Sequence, residues 1–172
     1  MNTPNSLEKP VYVLGFTGHI SFSRIKNFNE ERMRGEISRH IKRLQQRYRV
    51  KAYCGCAEGF DLLFAEEALN CNAELTVVLP CVLQEFLAEH SDGGVKFMQV
   101  FNKANEVLIK TNAEHRYVGV SETIVGACNE LVAVWDGIEL PLADAQGKAI
   151  NLGGTYDTVR RAKAANKRVK LL

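Results

Sequence analysis

The sequence predicts a single α/β domain of Rossmann-like, three-layer architecture, with a mainly parallel sheet of about six strands and helices on both faces. Three observations predict it. Short apolar runs rich in β-branched and aromatic residues alternate with stretches whose apolar residues step by three and four. No hairpin signal separates the first runs, so they need crossover connections and run parallel. Several runs end in a polar, glycine-bearing segment: GFTGH at 15–19, GCAEGFD at 55–61, VWDG at 134–137 and GGT at 153–155.

The first ten residues, MNTPNSLEKP, are polar, and the domain is expected over 11–172. Residues 11–16 form a buried strand that stops at Thr17-Gly18-His19. Asn27 followed by Glu30 reads as a helix start, and Met33, Ile37, Ile41, Leu44 and Tyr48 mark the apolar face of that helix. Arg32, Arg39, Lys42, Arg43 and Arg47 lie on its opposite face, and His40 reads as a helix-face residue. A second strand runs from Val50 to Cys54, and a helix opening near Glu58 carries Leu62, Ala65, Ala68 and Leu69. The run 75–79 is a third strand, stopped by Pro80 because proline cannot continue a central ladder.

Beyond it the signals weaken. Val82 to Leu87 is a short apolar piece, and His90-Ser91-Asp92-Gly93-Gly94 reads as an exposed loop. A helix over about 95–102 leads to a strand at 106–109. Tyr117, Val120, Ile124, Ala127 and Cys128 form the next helical stripe, and Leu131 to Trp135 the fifth strand. Residues 138–152 are long for a connection and contain Pro141 and Gly147, so they form a surface excursion or a lid. A final helix begins at Gly153-Gly154-Thr155, and a sixth strand spans 169–172.

A chain of 172 residues supports one substantial core. Its composition, 46% hydrophobic and 24% charged, is that of a globular domain, and no apolar run is long enough to cross a bilayer. With no signal-like apolar segment at its start, the chain is expected to be cytoplasmic. A formal charge of +2, with two mildly basic stretches at 39–51 and 160–170, gives nucleic-acid binding no electrostatic support. The five cysteines are odd in number and sit in apolar contexts, which fits free thiols. Cys54-x-Cys56 lacks the second ligand pair of a zinc site, so neither a metal nor another cofactor is expected.

In an open parallel sheet all strand-to-helix turns lie at the carboxyl edge, where they converge on a ligand crevice. Backbone N–H groups at Gly15, Gly18, Gly55, Gly59, Gly153 and Gly154, with Cys56 and Ala57 in the central turn, would approach phosphate or ribose oxygens. Thr17 and Thr155 add hydroxyls, while Glu58, Asp61, Asp136 and Asp157 can accept from sugar hydroxyls or base amines. His19 is the histidine of these turns, and Arg116 lies where a fourth helix could meet a phosphate.

GCAEGFD, followed by AEEAL at 65–69, resembles the G-x-A-x-G-x-D signature of DprA-like proteins. With the three other glycine segments, the chain from about 11 to 172 resembles the SLOG superfamily, which also holds the Lonely Guy phosphoribohydrolases. The resemblance implies a Rossmann-like fold with a nucleotide-type ligand at the carboxyl edge. It implies a site of Gly15, Thr17, Gly18, Gly55, Ala57, Gly59, Asp61, Asp136, Gly153, Gly154 and Thr155. In place of the Lonely Guy P-G-G-x-G-T-x-x-E the chain has NLGGTYDT at 151–158, with Thr158 three residues after Thr155 and Asp157 one earlier.

The expected function is therefore binding of a nucleotide or nucleotide-derived small molecule, as a sensor or binding module. The first alternative is hydrolysis or transfer of an N-glycosidic bond, with Glu58 or Asp157 as the catalytic carboxylate. Single-stranded DNA binding of the DprA kind is the second alternative. Homo-oligomerisation is compatible with the fold by resemblance.

Overall fold

The computed structural model describes residues 8–90, 94–110, 116–139, 142–143, 149–150 and 154–172, with the side chains of Arg116 and of 142–143 and 149–150 outside the description. Six strands, β1 (Val11–Gly18), β2 (Arg49–Cys54), β3 (Glu74–Leu79), β4 (Glu106–Ile109), β5 (Glu130–Val134) and, after the hairpin below, β8 (Arg168–Leu171), form one sheet. Its order is β4-β3-β2-β1-β5-β8, and all five pairings are parallel. Strand order reverses between β1 and β5, the place where open α/β sheets leave a crevice.

Helices α1 (Glu30–Gln45), α2 (Phe60–Asn70), α3 (Leu83–Glu89) and α4 (Gly94–Phe101) contribute to one layer, and α5 (Arg116–Ala127) and α6 (Thr155–Ala164) to the other. The first core joins Leu14 and Phe16 of β1 to Ile37 and Ile41 of α1 and Phe64 of α2. Phe16 and Phe64 stack with centroids 4.1 Å apart, tying the central strand to α2. Full burial of such a ring stabilises the fold by about 1.5–3 kcal/mol. The second core packs Ile124 of α5 and Val159 of α6 on Val78, Leu131 and Ala133. Helices cover both faces of β5, so all five positions are buried: Leu131 to Val134 are apolar, and Glu130 is paired with His40 at 3.2 Å.

The six expected strands form. Three local readings change. Helix α1 is capped by Asn29, whose side chain accepts from the Arg32 N–H at 2.8 Å, while Asn27 adopts a left-handed φ of 54°. His40 is buried and lies 3.2 Å from Glu130 rather than on the solvated face. The irregular piece after Pro80 contains α3, and His90 at its end is buried because its ring packs on Phe86. Within the 138–152 excursion, Leu142–Ala143 (β6) and Ala149–Ile150 (β7) pair as a short antiparallel hairpin, and most of the rest of this expected excursion or lid lies outside the described residues.

Candidate functional site

A cavity of about 190 Å³ opens at the carboxyl edge of β1, β2 and β3 and is closed on the other side by α5 and α6. Its floor is apolar, with Phe16, Val78, Val120 and Ile124, and Phe86, Tyr117 and His90 line it as well. The sequence-derived residues Thr17, Gly18, Gly55, Ala57, Asp61, Gly154 and Thr155 all line this cavity. Three glycine-bearing turns therefore meet there, as the parallel topology requires.

Asp61 is the carboxylate among the described lining residues. It accepts the Gly18 N–H at Oδ1 over 3.0 Å, which bridges the end of β1 and the first turn of α2. Burial pushes its carboxyl up to about 7, against the amides of Gly18 and Ala57, which favour the ionised form. The Cys54 thiol donates to the Asp61 carbonyl at 3.2 Å and fixes the backbone of the same turn. Burial holds that thiol protonated. All five cysteines are free and buried.

Opposite Asp61, α5 and α6 bring a pair of hydroxyls into the lining. Ser121 Oγ and Thr158 Oγ1 lie 2.8 Å apart, and Thr158 donates to the Gly154 carbonyl at 2.9 Å. Since the Thr158 proton is used there, the Ser121 hydroxyl is the donor of the pair and keeps its lone pairs for a ligand. At another part of the wall the Tyr117 hydroxyl lies 3.4 Å from His90 Nε2 and donates to Glu89 over 3.3 Å. Lysine and arginine are missing from the described lining.

The other site expectations fall elsewhere. Gly15 is inside β1, where an added Cβ would stand 2.7 Å from Ile124 Cγ2, so its smallness serves packing under α5. Cys56 is in the core with φ 54°, its side chain among apolar residues. Glu58 and Gly59 line a neighbouring cavity with Ile20, Arg34 and Glu66. Gly59 has φ +79°, and an added Cβ would lie 2.0 Å from the Ile20 carbonyl oxygen, so this glycine lets the β1 turn approach α2. Asp136 turns back to the chain: Arg24 donates to it from Nε at 2.8 Å, and His19 Nε2 lies 3.3 Å away. Burial opposes ionisation of Asp136, yet the Ile138 N–H, Arg24 and His19 outweigh it and hold the carboxyl below its usual range. Burial likewise lowers His19, with Asp136 working against the shift.

Asp157 is buried between Arg161 Nε at 2.6 Å and Arg160 at 2.7 Å, and the cavity wall beside it is Thr155 and Thr158. Arg116 is the first residue of α5, with its side chain outside the described residues, and Gly153 lies outside them altogether. Sequence reasoning missed Ser121, Thr158 and His90 as lining residues. A polar residue four positions after Tyr117, inside an apolar helical stripe, was the available signal for Ser121.

The fold, a six-stranded parallel sheet between two helical layers with glycine-bearing turns at its carboxyl edge, is that of a Rossmann-like α/β protein. Among solved structures the chain is similar to DNA processing protein A (DprA) from Streptococcus pneumoniae, at 12% identity and a TM-score of 0.56 over 94% of this chain and 50% of that one. It is similar to TM1055 at 10% identity and a TM-score of 0.53, over 92% and 72% of the two chains. A Moco carrier protein from Chlamydomonas reinhardtii matches at 17% identity and a TM-score of 0.52, over 96% and 76%. The chain thus spans about half the length of the DprA chain. No protein-family model and no curated protein sequence matches it. At these identities the likeness is one of fold. No helix among the described residues is long and apolar enough to cross a membrane.

Proposed function

We propose that the chain binds a nucleotide-derived small molecule at the carboxyl edge, with the flat heterocycle inside the cavity and the phosphate outside it, beyond the rim that Gly154 and Thr155 form. The observation that carries this reading is the character of the cavity: mainly apolar walls, one half-buried carboxyl group, and neither lysine nor arginine among the described lining residues. At about 190 Å³ it is smaller than the roughly 300–1,000 Å³ of sites that enclose drug-sized ligands, so it suits one ring system rather than a whole nucleotide. A base satisfies such walls; a phosphate does not. Asp61 would accept a ring N–H when ionised and donate to a ring nitrogen when protonated, while Ser121 reads a second edge atom. The N-terminal turn of α6 offers backbone N–H groups to the phosphate left outside. The fold shared with a Moco carrier protein supports a small-molecule role, although its ligand is not transferred to this chain.

A second reading, cleavage of the N-glycosidic bond, draws on Asp61. A carboxyl group held near neutral pKa beside a bound base is suited to protonate a departing ring nitrogen. Asp157 is less suited, being held by two arginines. DNA binding of the DprA type would need cations and stacking surfaces along an open groove, and the described cavity lining has no cation.

Native mass spectrometry with nucleoside monophosphates, free bases and ADP-ribose tests these readings together. Intact ligand retained by the wild type and lost from Asp61→Ala supports binding, and at a hundredfold excess over Kd it raises stability by ~2.7 kcal/mol. Release of free base moves the assignment to hydrolysis. Affinity for every probe that is unchanged in both Asp61→Ala and Ser121→Leu overturns the placement.

A further inference from the structure

We infer that β4 is a self-pairing edge, through which two copies of this chain join their sheets antiparallel about Leu108. The inference stands apart from the ligand site. β4 closes one end of the six-stranded sheet and, among the described residues, is paired with β3 alone, so its outer side presents unpaired backbone N–H and C=O groups. Proteins normally guard such an edge with proline, a bulge or repelling charge. The stretch Glu106-Val107-Leu108-Ile109-Lys110 has no proline, and Val107 and Ile109 are 37% and 49% exposed. Both project to the same face, because they are two residues apart on a strand.

The charges select the occupant. Glu106 and Lys110 stand symmetrically about Leu108, and Lys110 still follows the strand, donating its N–H to the Leu79 carbonyl at 2.8 Å. An antiparallel copy centred on Leu108 places Glu106 opposite the copy's Lys110, and Lys110 opposite the copy's Glu106. Val107 then meets Ile109 of the copy on the other face. Both ion pairs and both apolar pairs form at this one register, and each cross-strand pair of these kinds contributes favourably. The opposite edge behaves differently. In β8 the exposed strand carries Arg168 and Lys170, so self-pairing about Val169 sets cation against cation. The sheet thus has one guarded edge and one self-complementary edge.

Sedimentation velocity across a wide concentration range tests the proposal on the full chain. The wild type is expected to show a concentration-dependent dimer. Glu106→Lys and Lys110→Glu should each weaken it at least tenfold, since each sets like charges opposite one another twice. The double exchange, Glu106→Lys with Lys110→Glu, should restore wild-type dimerisation. Glu106 also accepts the Thr76 hydroxyl at 3.2 Å, so thermal melts of all variants check the fold, and Lys110→Glu leaves that bond intact. A wild type that stays monomeric at every concentration overturns the proposal. So does a dimer indifferent to either charge reversal, or one that the double exchange fails to restore.

Discussion

The Asp61 carboxylate accepts the Gly18 amide over 3.0 Å and joins the end of β1 to the first turn of α2, which follows the neighbouring strand β2. Both residues line the cavity, so the bond ties two of its walls together and leaves a titratable group in the lining. The bond favours the ionised carboxylate, burial favours the acid, and burial prevails.

Stability should record that competition as a pH dependence. With the folded pKa raised from 3.8 to about 7, the folded state holds a proton that the unfolded chain releases. The contribution is fully present below about pH 4 and is lost as pH rises to about 7. Its ceiling is on the order of 4 kcal/mol, and solvent access through the cavity lowers the real figure. Urea unfolding of the wild type and Asp61→Asn from pH 4 to 8 should show their difference change over this window; a constant difference would sink the account.

Glu130 should give the opposite slope. Burial opposes its ionisation, but His40 at 3.2 Å and the Tyr12 hydroxyl at 3.0 Å prevail and hold its carboxyl below the ordinary value. Its stabilisation is present above about pH 4.5 and is lost as pH falls through the lowered folded value. Glu130→Gln should cost roughly 1–3 kcal/mol at neutral pH and flatten the acid limb of the stability curve. Chemical denaturation at pH 3, 5 and 7 measures both effects.

Gly59→Ala should be among the most damaging single-methyl additions in the chain. The added carbon meets the Ile20 carbonyl, and φ of +79° is unfavourable for alanine besides. A loss of ~3 kcal/mol or more follows from combined clash and backbone strain. A melting temperature close to that of the wild type would show that the turn after β1 can move aside.

Val120→Phe separates the cavity from the fold. The larger ring can occupy the space that Val120 borders, so stability should change by less than ~1.5 kcal/mol while affinity for a base-containing ligand falls at least a hundredfold. Retained binding in a folded variant would place the ligand elsewhere.

The strands were legible because most carry a short apolar, β-branched core such as LTVVL in β3 or LVAV in β5, which a strand covered on both faces favours. β5, buried at all five positions, and β3, stopped by Pro80, could be placed from composition and proline chemistry alone. The turns were legible too, since GFTGH, GCAEGFD and GGT must lie at one edge once the strands are parallel. What each side chain in those turns does was decided only by tertiary structure. Gly59 and Gly15 make room for backbone and helix, Asp136 and Asp157 are taken by arginines, and Asp61 alone of the expected carboxylates lines the cavity. Ser121 and Thr158 become neighbours only when α5 and α6 pack on the same face of the sheet. Local sequence carries the period and the breakers that shape an element; direction, distance and burial of a polar group depend on partners far along the chain, so they exist only once the layers have closed.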